Sequence, residues 1–248
     1  MSTQETIKID IVSQSFYRDF YYFHKNLYDA WYIKDASHNF LDASSTFLSR
    51  FLPDTFTNIS GLSDTIITGA SEHSVRLMYN FEERVNLQKK ELTLLASGYY
   101  TDKNAMNVFI LTMHPYKYEE CSGVFVFLYD LDSYHKKIDW RASVIHGANP
   151  ILPGPETFPL KYENPLACVT EKEWEVVWLV LCGYSIRWVA EYLNIRSQAA
   201  HIKMRNAYMK FGVTNRKALL QMAAALNWLN FVPKRFVSEP ALIRLSGR

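Results

Sequence analysis

The sequence lacks the features of a secreted, membrane-spanning or metal-binding chain. Its 248 residues include three cysteines, Cys121, Cys168 and Cys182, an odd number without the spacing of a zinc site. No apolar run reaches the ~20 residues that cross a bilayer, and the opening MSTQETIKID has no apolar signal segment. We therefore expect a cytoplasmic protein in a reducing compartment, without membrane contact.

Catalytic signatures are also missing. The sequence contains no glycine-rich phosphate loop, no H-E-x-x-H, no G-x-S-x-G and no C-x-x-C. The seven histidines are scattered, and the carboxylates form no suggestive pair. We expect no catalytic residue, no metal site and no cofactor, and hence a protein that is not an enzyme.

Proline and charge divide the chain. Five of the nine prolines lie between Pro150 and Pro165, which predicts an irregular linker over residues 133–167, with a short helix near 134–144. From Pro165 onward there are 12 Lys and Arg against 5 Asp and Glu, whereas residues 1–164 hold 15 against 20. A basic C-terminal part suits a phosphate backbone, although such asymmetry also arises by chance on a surface.

Residues 168–232 read as four short helices, of which the second and third form a helix-turn-helix. Thr170 and Glu173 have the spacing of a capping box that starts the first helix, and Val169 with Trp174 that of a hydrophobic staple. Ser185, Ser197 and Thr214 are the expected caps of the next three helices, and Gly183 and Gly212 are the expected stops. Apolar residues then recur at helical spacing along the third helix: Ala200, Met204, Ala207, Tyr208 and Phe211.

This segment resembles the LuxR-type (NarL- or FixJ-type) DNA-binding domain. The resemblance covers about a quarter of the chain and rests on these residues: Val169-Thr170, Glu173, Glu175-Val176-Val177, Gly183, Val189-Ala190, Leu193, Ile195, Lys210-Phe211, Val213 and Asn215-Arg216. It implies that the helix Ser197-Phe211 enters the major groove of double-stranded DNA. The chain departs from the family pattern at Arg196-Ser197, at Ala199-Ala200 and at Lys203, which leaves the register on DNA open.

The resemblance also implies roles for side chains on the third helix. The base-reading positions fall on His201, Ile202 and Arg205, where an arginine can fork onto guanine and an isoleucine can pack a thymine methyl group. Phosphate contacts are expected from Gln198, Lys203, Lys210 and Arg216. A solvated polar helix face is the alternative for all seven.

Residues 1–132 predict an α+β domain. Apolar residues from Ile9 to Leu27 follow one helical face, with Phe16, Phe20 and Phe23 among them. Residues 31–33 and 40–41 predict a hairpin around the turn at 35–39. Helices are expected at 46–51 and within 71–88, and strands at 91–96, 107–114 and 123–131.

This order resembles a PAS domain, an antiparallel sheet flanked by helices. The resemblance rests on the K-D-x-x-x-x-F-L turn from Lys34 to Leu41, on Gly61 with Asp64, and on the closing strand VFVFLYDLD, with Ser44 where many members have Asn. PAS domains bind small molecules or cofactors, or dimerise. His73 is a weak candidate for a haem ligand, since a lone histidine is usually a surface or core residue. Several aromatic residues could line a pocket or simply fill a core. They are Trp31, Tyr32, Phe125 and Phe127, together with Phe16, Phe20 and Phe23 of the helix predicted within 9–27.

Together these patterns predict a PAS-like domain (1–132), a linker (133–167), an all-α four-helix DNA-binding domain (168–232) and a C-terminal tail (233–248). The function they favour is a dimeric transcription regulator whose partners are double-stranded DNA, a second copy and RNA polymerase. Two dimer surfaces are expected: the N-terminal helix within residues 9–27, and the fourth helix of the DNA-binding domain through Leu219, Leu220 and Ala223. The alternative for the fourth helix is that its apolar stripe packs inside its own domain. The alternatives are a partner of another regulator that does not read DNA, and a sensor gated by an unknown small molecule.

Overall fold

The computed structural model describes residues 30–52, 59–67, 70–102, 105–118, 121–131 and 162–246. The chain divides into two compact units, the first made of Met1–Glu91, Tyr99–Ala105 and Leu111–Tyr129, the second of Leu92–Gly98, Met106–Ile110 and Asp130–Arg248. Three predicted segments lie outside the described residues: the helix at 9–27, the short helix near 134–144, and the linker apart from residues 162–167. Among the described residues no helix is both long and apolar enough to cross a membrane.

The described part of the first unit begins with the predicted hairpin. Strands β1 (Ala30–Asp35) and β2 (Phe40–Ala43) pair antiparallel, with Tyr32 opposite Ala43. The turn between them closes because the Asp35 carboxylate accepts the backbone N–H groups of Ser37 and Asn39, each at 2.9 Å. His38 completes the turn with a φ of 67°, which is uncommon for a residue other than glycine.

Two helices follow the hairpin, α1 (Ser45–Phe51) and α2 (Glu72–Gln88). Both start at a serine that accepts a first-turn N–H, Ser44 for α1 and Ser71 for α2. Ser44 is fully buried, and its Oγ also accepts the Trp31 N–H at 3.0 Å. One serine therefore caps a helix and ties it to β1.

The sheet is antiparallel and contains three longer strands, β3 (Leu92–Asp102), β4 (Ala105–Tyr118) and β5 (Cys121–Asp130). The strand order is β2-β1-β5-β4-β3-β6, and β1 pairs with β5 from Ala30 opposite Leu128 to Asp35 opposite Gly123. β3 and β4 run well past the ends expected from the sequence, because the ladder continues through Gly98 and Pro115, residues that usually weaken or end a strand.

The second unit holds the helices of the C-terminal region: α3 (Glu171–Leu181), α4 (Ile186–Tyr192), α5 (Ser197–Phe211), α6 (Arg216–Ala225) and α7 (Arg235–Ser238). The first four match the predicted order of helices. Single 3₁₀ turns at Pro165–Ala167 and Trp228–Asn230 flank them.

The last described element is strand β6 (Ala241–Ser246), which pairs antiparallel with β3. Leu95 lies opposite Ile243 and Ser97 opposite Ala241. Residues 233–248, expected as a tail, thus carry a helix and a strand, and Phe236 and Ile243 are almost fully buried. The C-terminal region is therefore helical except for one strand that completes the sheet.

Candidate nucleic-acid interface

The candidate interface is the exposed face of α5, and its position is fixed by α3 and α4. The capping box of α3 is present: the Thr170 side chain accepts the Glu173 N–H, and the Glu173 carboxylate accepts the Thr170 N–H at 2.9 Å. Val169 and Trp174, the expected staple, are both buried. α3 therefore begins where the sequence predicts, and its buried residues form the base on which α5 packs.

The crossing of the helices depends on small side chains. Ala190 on α4, and Ala200 and Ala207 on α5, are almost completely buried, together with Met204 and Phe211. An alanine at a contact lets two helix backbones approach closely. Four of the five residues of the predicted apolar stripe of α5 are thus buried, and the fifth, Tyr208, is half-buried.

Three tryptophans fasten the segment after α6 to this core through their indole N–H groups. Trp174 donates to the Phe231 carbonyl at 2.7 Å, and Trp178 donates to the Leu229 carbonyl at 3.1 Å. Trp228 donates to the Tyr162 carbonyl at 2.8 Å. Every indole N–H of the group has a partner, and Trp228 and Leu229 are buried in the domain core.

The other face of α5 is exposed over three turns. Its exposed side chains recur at helical spacing: Gln198, His201, Ile202, Arg205 and Met209. Within the described part of the chain, no hydrogen bond or ion pair engages the side chains of His201 or Arg205. Ile202 is 43% exposed and Met209 is 68% exposed, both high for apolar residues. The structure thus brings the three expected base-reading residues together on one face.

The expected phosphate contacts fall into two kinds. Gln198 is exposed, and Lys203 is half-buried on the flank of α5. Lys210 instead bonds the Glu173 carboxylate at 2.6 Å, and a guanidinium nitrogen of Arg216 lies 3.4 Å from the Val180 carbonyl. Lys210 and Arg216 therefore have partners inside the domain.

The Lys210–Glu173 pair joins the end of α5 to the start of α3. Burial alone raises the pKa of Glu173, but hydrogen bonds from Lys210 and Thr170 outweigh it, so the pKa is lowered. The carboxylate is consequently ionised at neutral pH, and it holds the Lys210 ammonium against α3.

Two predicted caps are wrong. The N-cap of α5 is Arg196, which makes no side-chain capping bond, and Ser197 is the first helical residue. The N-cap of α6 is Asn215, whose side chain accepts the Ala218 N–H at 3.0 Å, one residue after Thr214. Each observed cap lies one residue from the predicted one, which is the usual uncertainty of a helix end. Two further exposed side chains were not predicted: Met209, which continues the exposed face of α5 at helical spacing, and Arg196, which precedes the helix.

Other expected site residues lie in the first unit. His73 is an exposed residue in the first turn of α2. Trp31 and Tyr32 are buried, while Phe125 and Phe127 are half-buried and contact each other at 4.5 Å. Among the described residues no group of three His, Cys, Asp or Glu side chains could hold a metal ion.

Solved structures of VqmA resemble this chain in fold. VqmA bound to DPO is 16% identical, with a TM-score of 0.68 over 93% of this chain and 98% of that chain. The Vibrio cholerae VqmA dimer in the absence of target DNA is 16% identical, with a TM-score of 0.69 over 93% and 96%. No protein-family model matches the chain. The predicted fold class, an α+β PAS-like domain followed by a four-helix helix-turn-helix region, is confirmed, and β6 is an addition to it.

Proposed function

We propose that this chain is a sequence-specific DNA-binding transcription regulator, a dimer that reads the major groove with α5. The main support is that α5 has two faces. One is buried against α3 and α4, and the other is exposed and presents His201, Ile202 and Arg205. A helix held from behind by a helix-turn-helix can enter the groove without rearrangement. The protein would then be a cytoplasmic regulator and not an enzyme.

The exposed side chains suit base edges of different kinds. The Arg205 guanidinium can donate two hydrogen bonds to O6 and N7 of guanine, and Ile202 can pack against the methyl group of thymine. His201 lies beside Ile202 and offers a ring nitrogen to a base edge. On a helix in the major groove, all three would face neighbouring base pairs.

Four residues are proposed to contact phosphates, and they differ in the hydrogen bonds within the protein that they would lose on binding DNA. Gln198 and Lys203 have no described bond to break in favour of DNA. Lys210 would share its ammonium between the Glu173 carboxylate and a phosphate. Arg216 would share its guanidinium between the Val180 carbonyl and a phosphate. We expect Lys203→Ala to lower the salt slope of binding by about one, the loss of one phosphate contact.

Similarity in fold supports the same function. VqmA has been described as a dimer with a target DNA, in the context of LuxR-type receptors. Two copies of α5 in such a dimer would read half-sites about one helical turn apart, roughly 10 base pairs. Leu219 and Ala223 of α6 are buried within their own chain, so the dimer surface on this helix is limited to neighbours such as the half-buried Leu220. RNA polymerase is the further partner we propose.

Selection of the full-length protein against a random duplex library tests the proposal. An inverted repeat should be enriched, because a two-fold dimer presents two identical α5 helices. The same experiment separates the alternative of a non-reading partner protein, for which a folded sample would enrich no sequence at any salt concentration.

The variant Arg205→Ala then tests the assignment of α5. We expect a loss of about 1–3 kcal/mol in affinity for the selected duplex, and relaxed preference at one base position in each half-site. Arg187→Ala is the matched control, since Arg187 is an exposed arginine on α4 that pairs with Glu191. It removes the same charge and should leave base preference unchanged. Equal base preference in the native protein and Arg205→Ala would show that α5 is misassigned.

A further inference from the structure

A cluster of four ionisable side chains lies in the first unit. Lys34 of β1 is completely buried, and its ammonium donates to the carboxylates of Asp64 and Glu82, the latter at 2.8 Å. Asp64 lies in the 3₁₀ turn Asp64–Ile66, and Glu82 lies in the middle of α2. Both carboxylates are almost fully buried.

Aromatic rings enclose the ammonium. Nζ of Lys34 lies 4.7 Å from the ring centre of Phe40, 5.3 Å from that of Tyr32 and 5.6 Å from that of Tyr79. Ring faces attract a cation but leave the region poor in water. Charges in such surroundings interact strongly, and an unbalanced charge is costly.

His38 is the fourth member, and the hairpin turn delivers it. Its ring stacks on Tyr79, with centroids 4.1 Å apart, and Nδ1 lies 2.6 Å from the Glu82 carboxylate. Nε2 lies 3.9 Å from the exposed carboxylate of Glu83. His38 is thus the contact through which the β1–β2 turn meets α2.

With Asp64 and Glu82 both ionised, the charges of the four groups balance when His38 is protonated. Lys34 contributes one positive charge, and Asp64 and Glu82 contribute two negative charges. Each oxygen of Glu82 is used, one by Lys34 and the other by His38. A neutral His38 leaves one net negative charge among buried groups, which weakens the contact of the turn with α2.

We propose that His38 is a proton-sensing residue, which fastens the β1–β2 turn to α2 when protonated and loosens it when neutral. The groups that face it are Glu82, Glu83 and Tyr79 of α2, with Lys34 and Asp64 behind them. The Asp35 carboxylate lies in the same turn and bonds the backbone N–H groups of Ser37 and Asn39.

The expected proton affinities agree with this assignment. The hydrogen bond to Glu82 raises the pKa of His38, and burial opposes it only in part. Burial lowers the pKa of Lys34, but the carboxylates of Glu82 and Asp64 outweigh it and raise the pKa overall. Lys34 therefore stays charged throughout the range in which His38 titrates.

The sign of the pH effect follows from the raised pKa. A histidine that binds its proton more tightly in the folded state stabilises the fold fully below its unfolded pKa of about 6.5. That stabilisation is lost as the pH rises through the folded pKa. His114 has the opposite sign, since burial lowers its pKa, so a comparison of variants is needed to isolate His38.

Titration of the full-length protein by NMR, with resonances assigned through His38→Gln, is the test. We expect the His38 resonance to titrate above about 6.5. The melting temperature of the native protein should exceed that of His38→Gln at pH 6, and the difference should shrink towards pH 8.5. His73→Gln is the matched control, because His73 is an exposed histidine on α2, and its melting temperature should follow the native profile.

Two results would overturn the proposal: a His38 resonance that titrates at or below about 6.5, or a pH-independent difference between the native protein and His38→Gln. If His38→Gln does not fold, the remaining histidine variants assign the resonance by elimination, and the titration of the native protein decides. DNA binding enters neither measurement, so this outcome is independent of the proposed function.

Discussion

Gly123 illustrates how much one residue can constrain the sheet. It lies on β5 opposite Asp35, and a Cβ atom at this position would come 1.8 Å from the Lys34 carbonyl oxygen and 2.9 Å from the Asp35 Cα. Both obstacles are backbone atoms of β1, so no side chain can move aside. The closest approach of these two strands therefore requires a glycine.

We expect Gly123→Ala to lower the free energy of unfolding by about 3 kcal/mol, the upper end of the range for overpacking. Gly61→Ala is the control, because Gly61 has a φ of +79° but no atom within 4 Å of an added Cβ. It should cost only the backbone strain of about 1–2 kcal/mol. Urea unfolding measures both, and a Gly123→Ala variant at least as stable as Gly61→Ala would contradict the prediction.

At the scale of the element, the start of α5 is unusual. Arg196 occupies the N-cap with extended backbone angles, φ −63° and ψ 140°, but offers no acceptor to the first-turn N–H groups. A positive side chain at this end also opposes the helix dipole. Helix α5 is thus less well capped than α3, α4 and α6, whose caps each accept a backbone N–H.

We expect Arg196→Ser to stabilise the protein by about 1 kcal/mol, because serine supplies the missing acceptor and removes the charge. The same variant should bind DNA more weakly at low salt, since an exposed cation beside α5 is lost. Thermal unfolding and binding are measured together, with Arg187→Ser as the control for a lost exposed arginine. A loss of stability in Arg196→Ser would show that the arginine itself supports the helix.

The sequence predicts most elements because their signals are local. The capping box at Thr170, the stop at Gly212 and the hairpin turn at 35–39 each depend on residues within one turn of each other, and the structure confirms them. Strand ends are less predictable, since β3 and β4 continue past Gly98 and Pro115, residues that usually weaken or end a strand. The roles of His201, Ile202 and Arg205 stay predictions, because the structure supplies their exposure but not their ligand.

At the scale of the whole molecule, β6 is the element that local patterns could not reveal. The six residues from Ala241 to Ser246 contain apolar positions without a long alternation, and their partner lies far away in the sequence. Two further contacts fix this strand: the Tyr184 hydroxyl accepts the Arg244 N–H at 2.7 Å, and the Ser97 hydroxyl donates to the Glu239 carbonyl at 2.9 Å. Residues after α6 are therefore bound both to β3 and to the segment between α3 and α4.

We expect Ile243→Asp to destabilise the full-length protein by at least about 3 kcal/mol, because it buries an unpaired charge opposite Leu95. Leu87→Asp is the control, since Leu87 is an apolar residue that is 83% exposed on α2. Thermal unfolding followed by tryptophan fluorescence compares the two. Similar melting temperatures for both variants would mean that β6 contributes little to the fold. DNA-binding experiments should likewise use the whole chain, because a fragment that starts after the sheet leaves β6 without β3.

The pairing of β3 with β6 has a consequence for how the protein is made. The bond from Ser97 to Glu239 spans 142 residues, which a ribosome adds in about 7–30 s at typical rates of synthesis. During that interval β3 has no neighbour from this chain on one side, and an unpaired strand edge invites association with other chains. Pairings so distant also slow folding, because a long loop must close first. Yield and aggregation during expression should therefore depend on synthesis rate and on chaperone supply.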